Sequence, residues 1–179
     1  MIIENTNIED LVLITPNIFE DNRGYFLESY NSKKLASVIN ANFVQDNESL
    51  SQKNVLRGLH FQIPPFAQAK LIRVIIGSIL DVAVDMRKKS PTYGMHFKYI
   101  LSGKNKKQLF VPEGFAHGFL CLENNTILNY KCSDYYNTDS EKSIMWNDQD
   151  LNIDWGIENP ILAKKDQLAE NFITFDSPF

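Results

Sequence analysis

The strongest constraint on this chain is how often it is interrupted. Short runs of apolar, β-branched and aromatic residues recur along it: Leu11 to Thr15, Leu71 to Ile76, Ile79 to Asp85, His96 to Leu101, Gln108 to Val111, Leu120 to Glu123 and Ile127 to Cys132. Gly, Pro, Asn or Ser stands beside most of them. Runs this short, bounded by turn residues, suit strands better than helices. Helical patterning is confined to Lys33 to Ile39, with Asn31 or Ser32 as cap, and to Asp166 to Glu170. An all-β sandwich or barrel follows. The 179 residues, 44% of them hydrophobic, suffice for one domain spanning 1–179 with a sizeable core. No internal repeat or low-complexity linker divides them.

Turn chemistry suggests pairings. Glu20 to Gly24 is a turn, with Tyr25 to Tyr30 as its returning strand. Phe43 to Ser49 is polar after an apolar start. Gly77-Ser78 suits a type II′ hairpin, which would pair Val74 with Asp81 and Lys70 with Asp85. Lys70 would then share a sheet face with Asp81. Leu120 to Glu123 and Ile127 to Cys132 would pair across Asn124-Asn125, with Leu128, Tyr130 and Cys132 on one face.

Several function classes drop out. A net charge of -4 argues against general nucleic-acid binding, so any anion site must be local. No apolar run reaches membrane-spanning length. Met1 to Asn5 lacks the basic and long apolar regions of a signal peptide. Cys121 and Cys132 lie in apolar or alternating segments and read as reduced structural thiols. A cytoplasmic location is therefore expected. No Gly-rich phosphate loop is present, which leaves nucleotide hydrolysis and hydride transfer without support.

The stretch from Val55 to Arg73 stands apart. Its apolar runs flank Pro64-Pro65 and carry Arg57, His60, Gln62, Lys70 and Arg73. A charge on an apolar strand needs a partner or a ligand. This density suggests an anionic pocket containing a base. There are three histidines, His60, His96 and His117. A metal site needs several of them to converge with a carboxylate or thiolate. Gln62 stands where a second histidine would ligate on the His60 face, so metal binding is disfavoured. Taken singly, each candidate also has a plain structural role. His60 would be a hydrogen-bonded core histidine, Tyr130 a rim aromatic, Asp166 a helix N-cap and Arg23 a solvated turn tip. The residues alone support a β-barrel with a cationic interior face.

A series of motifs says more. Phe19-Glu20-Asp21-Asn22-Arg23-Gly24-Tyr25-Phe26-Leu27-Glu28, Gln45-Asp46-Asn47, Val55 to Gln62, Lys70 to Val74, Asp81 to Arg87, Ser90-Pro91-Thr92 and Pro112 to Phe119 come in order. Tyr130-Lys131, Ile144 to Asp148 and Ala163 to Asp166 complete it. This series resembles the signatures of the dTDP-4-dehydrorhamnose 3,5-epimerase family across nearly the whole chain. The resemblance implies a cupin-type jelly-roll β-barrel with a few short helices. It also implies a homodimer that needs neither metal nor cofactor, and a nucleotide-linked 4-keto-6-deoxyhexose as substrate.

The resemblance also assigns roles. His60 is similar to the family's base and Tyr130 to its acid. Asp166 is similar to the carboxylate paired with His60, Lys70 to the group that stabilises the oxyanion, and Asp81 to an acid near Lys70. Arg23 and Glu28 resemble nucleotide contacts, with Gln45 and Asn47 beside them. Arg57 and His117 resemble contacts around the sugar and its phosphates. Glu141 and Lys165 resemble polar contacts, with Lys164 as the alternative to Lys165, and Tyr136 resembles a ring stacked on thymine. Strict alternation puts Arg57 and His60 on opposite strand faces. Either Gly58 marks a bulge, or Arg57 serves a partner's site. Rival readings are a 3-only or 5-only epimerase, an enzyme for GDP- or CDP-linked sugars, a metal-dependent cupin and a non-catalytic nucleotide-sugar binder.

Overall fold

In the computed structural model, which describes residues 1–179, the short runs become thirteen strands. They are β1 (Ile2–Asn5), β2 (Val12–Thr15), β3 (Ile18–Asp21), β4 (Gly24–Leu27), β5 (Gln45–Ser51), β6 (Leu56–Gln62) and β7 (Lys70–Ile76). The remainder are β8 (Ser78–Asp85), β9 (His96–Ser102), β10 (Gln108–Val111), β11 (Phe115–Cys121), β12 (Thr126–Cys132) and β13 (Glu141–Ser143). One sheet has the order β1-β2-β10-β7-β12-β5, the other β13-β6-β11-β8-β9, and β3-β4 form a separate hairpin. The ladders are antiparallel, and the two sheets pack face to face as a jelly roll.

Three apolar clusters hold the layers. Leu13, Ile72, Val74, Leu109 and Leu128 of the first sheet meet Ile79, Ala83, Leu101, Phe115 and Phe119 of the second. The outer face of the second sheet packs Leu56, Leu59, Val82, Val84 and Met86 against Ile144, Leu151, Trp155 and Phe175 of the C-terminal loops. The outer face of the first packs Val12, Ile14, Leu71 and Phe110 against Leu35 and Ile39. Cover on both faces explains why β8 is buried along nearly its whole length rather than alternating.

Helix is scarce, as expected. α1 (Ser32–Leu35) is capped by the Asn31 side chain, which accepts from the Lys34 amide. A 3-10 turn spans Asp166–Leu168. Its N-cap is Lys165, so Asp166 is not the cap that its position suggests.

Two expected hairpins are not hairpins. β7 pairs with β10 and β12, whereas β8 pairs with β11 and β9, so at Gly77 the chain crosses from one sheet to the other. Val74 faces Leu128, not Asp81, and Lys70 faces Cys132, not Asp85. Gly77 has φ +80, and a Cβ there would lie 2.4 Å from the Thr126 hydroxyl, so glycine is needed for this crossing rather than for a II′ turn. Asn124-Asn125 likewise connects β11 and β12 in different sheets. Turn residues report a reversal of direction; they do not say whether the returning strand stays in the same sheet.

Candidate active site

A cavity of ≈ 400 Å³ lies between the two sheets. The first sheet supplies Gln45, Asn47 and Ser49 from β5, Lys70 from β7, and Leu128, Tyr130 and Cys132 from β12. The second supplies Arg57, His60 and Gln62 from β6, His117 and Phe119 from β11, and Glu141 from β13. Loops add Gln68, Tyr136, Lys165 and Asp166. β5 carried no clear strand signal because both of its faces are polar: Asp46 and Glu48 face solvent while Gln45, Asn47 and Ser49 face the cavity. Period-two exposure exists there without a change in hydrophobicity.

Gly58 resolves the facing of Arg57. Along β6 and β11, His60 pairs with His117 and Arg57 with Phe119, so β6 carries one residue more than its partner. The bulge falls at Gly58, which has φ +126; a Cβ there would lie 2.5 Å from the Gly118 Cα. Arg57 and His60 therefore look into one cavity, while Leu56 and Leu59 enter the outer core. The Arg57 Nε donates to the Ser51 hydroxyl at 3.1 Å.

His60 and Asp166 are joined, with Nε2 and Oδ1 2.6 Å apart and Asp166 only 1% exposed. A carboxylate acceptor pairs with the tautomer that has its proton on Nε2. Nδ1 makes no bond within the protein, which leaves its lone pair for a ligand. Tyr130 lines the same cavity from the opposite sheet. Burial pushes its phenol above the ordinary tyrosine range, helped by Cys132 and opposed by Arg57. Lys70 spans the gap between the sheets, its Nζ donating to the His60 carbonyl at 3.3 Å. Burial pulls the Lys70 ammonium below the usual lysine range, while Cys132, Glu141 and Asp81 work to hold its proton.

Asp81 does not line the cavity. It is fully buried, with both oxygens 3.0 Å from the His117 Nε2. It comes near Lys70 across the sandwich rather than along a shared ladder. Lys165 pairs with Glu141 at 2.8 Å and lines the cavity, whereas Lys164 does not line it. Burial raises the Glu141 carboxyl, but Lys165 and the Tyr136 hydroxyl outweigh it and leave the group below the ordinary range.

Arg23 and Glu28 lie elsewhere. Arg23 sits on the β3-β4 hairpin with its side chain 85% exposed, paired to Asp21. Glu28 pairs with Lys34 and accepts from Asn31. No group of three or more His, Cys, Asp or Glu side chains is placed to hold a metal ion. Ser49, Gln62, Gln68 and Cys132 also line the cavity; the inward alternation of β5, β6 and β12 could have flagged Ser49, Gln62 and Cys132, whereas Gln68 lies in a loop with no such signal.

A family profile described as dTDP-4-dehydrorhamnose 3,5-epimerase matches residues 5–173. The chain belongs to that family. It is 48% identical over 172 residues to the dTDP-4-dehydrorhamnose 3,5-epimerase of Salmonella typhimurium, with 94% of each chain covered. Among solved structures of the family, it is similar to the Legionella pneumophila epimerase in complex with dTDP-4-keto-L-rhamnose. That likeness has a TM-score of 0.93 at 46% identity, covering 97% of this chain and 94% of the other. A 3′-monoepimerase from Streptomyces bikiniensis, in complex with dTDP-quinovose, gives a TM-score of 0.89 at 31% identity over 94% of this chain and 87% of that one. These relatives share the two-sheet architecture described above, which is the cupin-type jelly roll of the family.

Proposed function

We infer that this chain is an isomerase that inverts C3 and C5 of dTDP-4-keto-6-deoxy-D-glucose, giving dTDP-4-dehydro-L-rhamnose, the precursor of dTDP-L-rhamnose. One observation carries the residue roles: an imidazole backed by a buried carboxylate and a phenol face one cavity from opposite sheets. The protons on C3 and C5 are acidic because the C4 carbonyl accepts the electrons they leave behind. The His60 Nδ1 takes a proton from one face. The carbon–hydrogen bond pair becomes the enolate, whose charge rests on the carbonyl oxygen. Lys70 stabilises that oxyanion, and preorganised charge in a secluded cavity is effective there. Tyr130 returns a proton to the other face of the same carbon, which inverts it. Its raised pKa keeps the phenol protonated and ready to donate. The reaction needs no cofactor.

At the nucleotide end, Arg57 and His117 suit the diphosphate and sugar, and a guanidinium can bond two phosphate oxygens at once. Tyr136 suits stacking on thymine, flanked by Gln45, Asn47, Glu141 and Lys165. We assign Arg23 and Glu28 to the site of a second copy. The hairpin that bears Arg23 exposes Phe19, Tyr25 and Phe26, with Phe26 69% exposed, which supports docking on a partner. Residues 1–179 then form one jelly-roll epimerase domain acting as a homodimer. No helix is long and apolar enough to cross a membrane. The cytoplasm, and supply of rhamnose to surface polysaccharide such as lipopolysaccharide O-antigen, complete the reading.

The test is turnover of the thymidine-linked keto sugar in deuterated water. Deuterium enters both C3 and C5; exchange at neither rejects the assignment. Exchange at C3 alone would favour a narrower activity, like that named for the S. bikiniensis 3′-monoepimerase.

A further inference from the structure

Gln62 lines the cavity, yet no step above uses it. It is 3% exposed, and its amide is almost fully engaged. Nε2 donates to the Phe66 carbonyl at 2.6 Å and to the Tyr135 carbonyl at 3.2 Å. Oε1 accepts from the Asn137 amide at 2.7 Å. An amide nitrogen has two hydrogens, so Gln62 has no donor left for a ligand. Two of its three bonds go to the backbone on either side of Tyr136, and the third ties it to Phe66.

The same segment is held at two further points. The Tyr136 amide donates to the Gln45 Oε1 at 3.0 Å, and the Gln68 Nε2 donates to the Asp134 carbonyl at 2.7 Å. Tyr136 itself remains 56% exposed, with its hydroxyl on Glu141 as its one side-chain bond. An exposed ring has little packing to hold it. Its position depends on the backbone beneath, and Gln62 grips that backbone at the preceding carbonyl and the following amide.

We propose that Gln62 is a positioning residue for nucleotide binding, which sets Tyr136 at the base-binding end of the cavity while leaving proton transfer untouched. This rests on the reading of Tyr136 as the ring that stacks on thymine. Only a primary amide of this length can donate twice and accept once here. A carboxylate of the same shape accepts only and would press its oxygen against two carbonyls.

The experiment compares Gln62→Glu, Tyr136→Ala and the double variant. Thymidine diphosphate affinity is read by calorimetry, and KM and kcat on the keto sugar. Gln62→Glu should weaken thymidine diphosphate binding about tenfold, the equivalent of one to two hydrogen bonds. KM should rise in step, with kcat falling less than about threefold. In the Tyr136→Ala background the same change should weaken binding less than about twofold, because coupled residues are not additive. Thermal melts check folding. If Gln62→Glu does not fold, Gln68→Leu, which cuts one bond to the same segment, should show the same KM-weighted loss at about threefold.

Unchanged affinity, a kcat that falls as far as kcat/KM, or losses that multiply in the double variant would each overturn the proposal. Wild-type protein that turns over the keto sugar while the variants behave this way defeats the inference alone. Wild-type protein that neither binds thymidine diphosphate nor turns over the sugar defeats the functional reading and the inference with it.

Discussion

Asp166→Asn separates the charge of the His60 partner from its shape. The wild-type contact is 2.6 Å and Asp166 is 1% exposed, so solvent cannot replace a lost interaction. The carboxylate matters most once His60 has taken the substrate proton and become an imidazolium. A charged hydrogen bond contributes about 1.5–3 kcal/mol and a neutral one about 0.5–1.5. The variant thus loses about 1–2 kcal/mol of transition-state stabilisation, or roughly 5- to 30-fold in rate. An amide can also turn its NH2 toward Nε2. That would move the ring proton to Nδ1 and block the base, and a tautomer error of this kind has cost about 10⁴-fold in a serine protease triad. The expected loss is at least about fivefold and falls on kcat, with KM little changed, because substrate binds before the imidazolium exists. The assay is deuterium entry at C3 and C5 followed by NMR, with His60→Asn as the inactive reference. A kcat for Asp166→Asn within twofold of wild type, or a loss confined to KM, would refute the dyad.

Burial lowers the Lys70 pKa, so the unfolded chain holds that proton more tightly than the native one. Stability attributable to Lys70 therefore rises with pH between its depressed value and 10.5, and Lys70→Met should flatten that rise, raise the neutral-pH melting temperature and abolish turnover. In the wild type, activity should fall at high pH as Lys70 loses its charge before Tyr130 ionises; a Tyr130→Phe variant with measurable residual exchange should keep that alkaline limb, and its disappearance would assign the limb to Tyr130. Gly58→Ala puts a Cβ 2.5 Å from the Gly118 Cα at φ +126, and should cost about 2–5 kcal/mol in a denaturant melt. An unchanged melt would remove the bulge as the device that turns Arg57 and His60 into one cavity. If Arg23 acts on a partner's site, mixing and refolding inactive Arg23→Ala with inactive His60→Ala should restore about one quarter of wild-type activity, since half the dimers are mixed and half their sites intact; no recovery would place Arg23 in its own site.

Much of the site could be read from residue types. A histidine, a lysine and arginines on apolar strands have few stable settings besides a pocket that uses them, and His60, Lys70 and Arg57 do share one. The alternation of Leu128, Tyr130 and Cys132 onto one face also held, because a strand's period of two is a property of the backbone itself. Where no apolar alternation marks a strand, as in β5, residue types alone do not reveal it, even though its inward side chains build one wall.

What sequence alone determined here was local: which segments are extended, which face each side chain takes, and which polar residues would be costly to bury without a purpose. Only the folded chain decided what lies opposite. Gly77 and Asn124-Asn125 send their strands to the other sheet, so Asp81 meets His117 rather than a Val74 ladder partner. One extra residue at Gly58 reverses a facing that strict counting would assign otherwise. Asp166, which its local sequence alone would make a helix cap, instead makes the buried bond to His60, 106 positions away, that the family resemblance implies. Periodicity constrains the faces of a strand through its own torsions, whereas its neighbours are set by whichever packing of two whole sheets buries the most apolar surface and leaves the fewest polar groups unpaired.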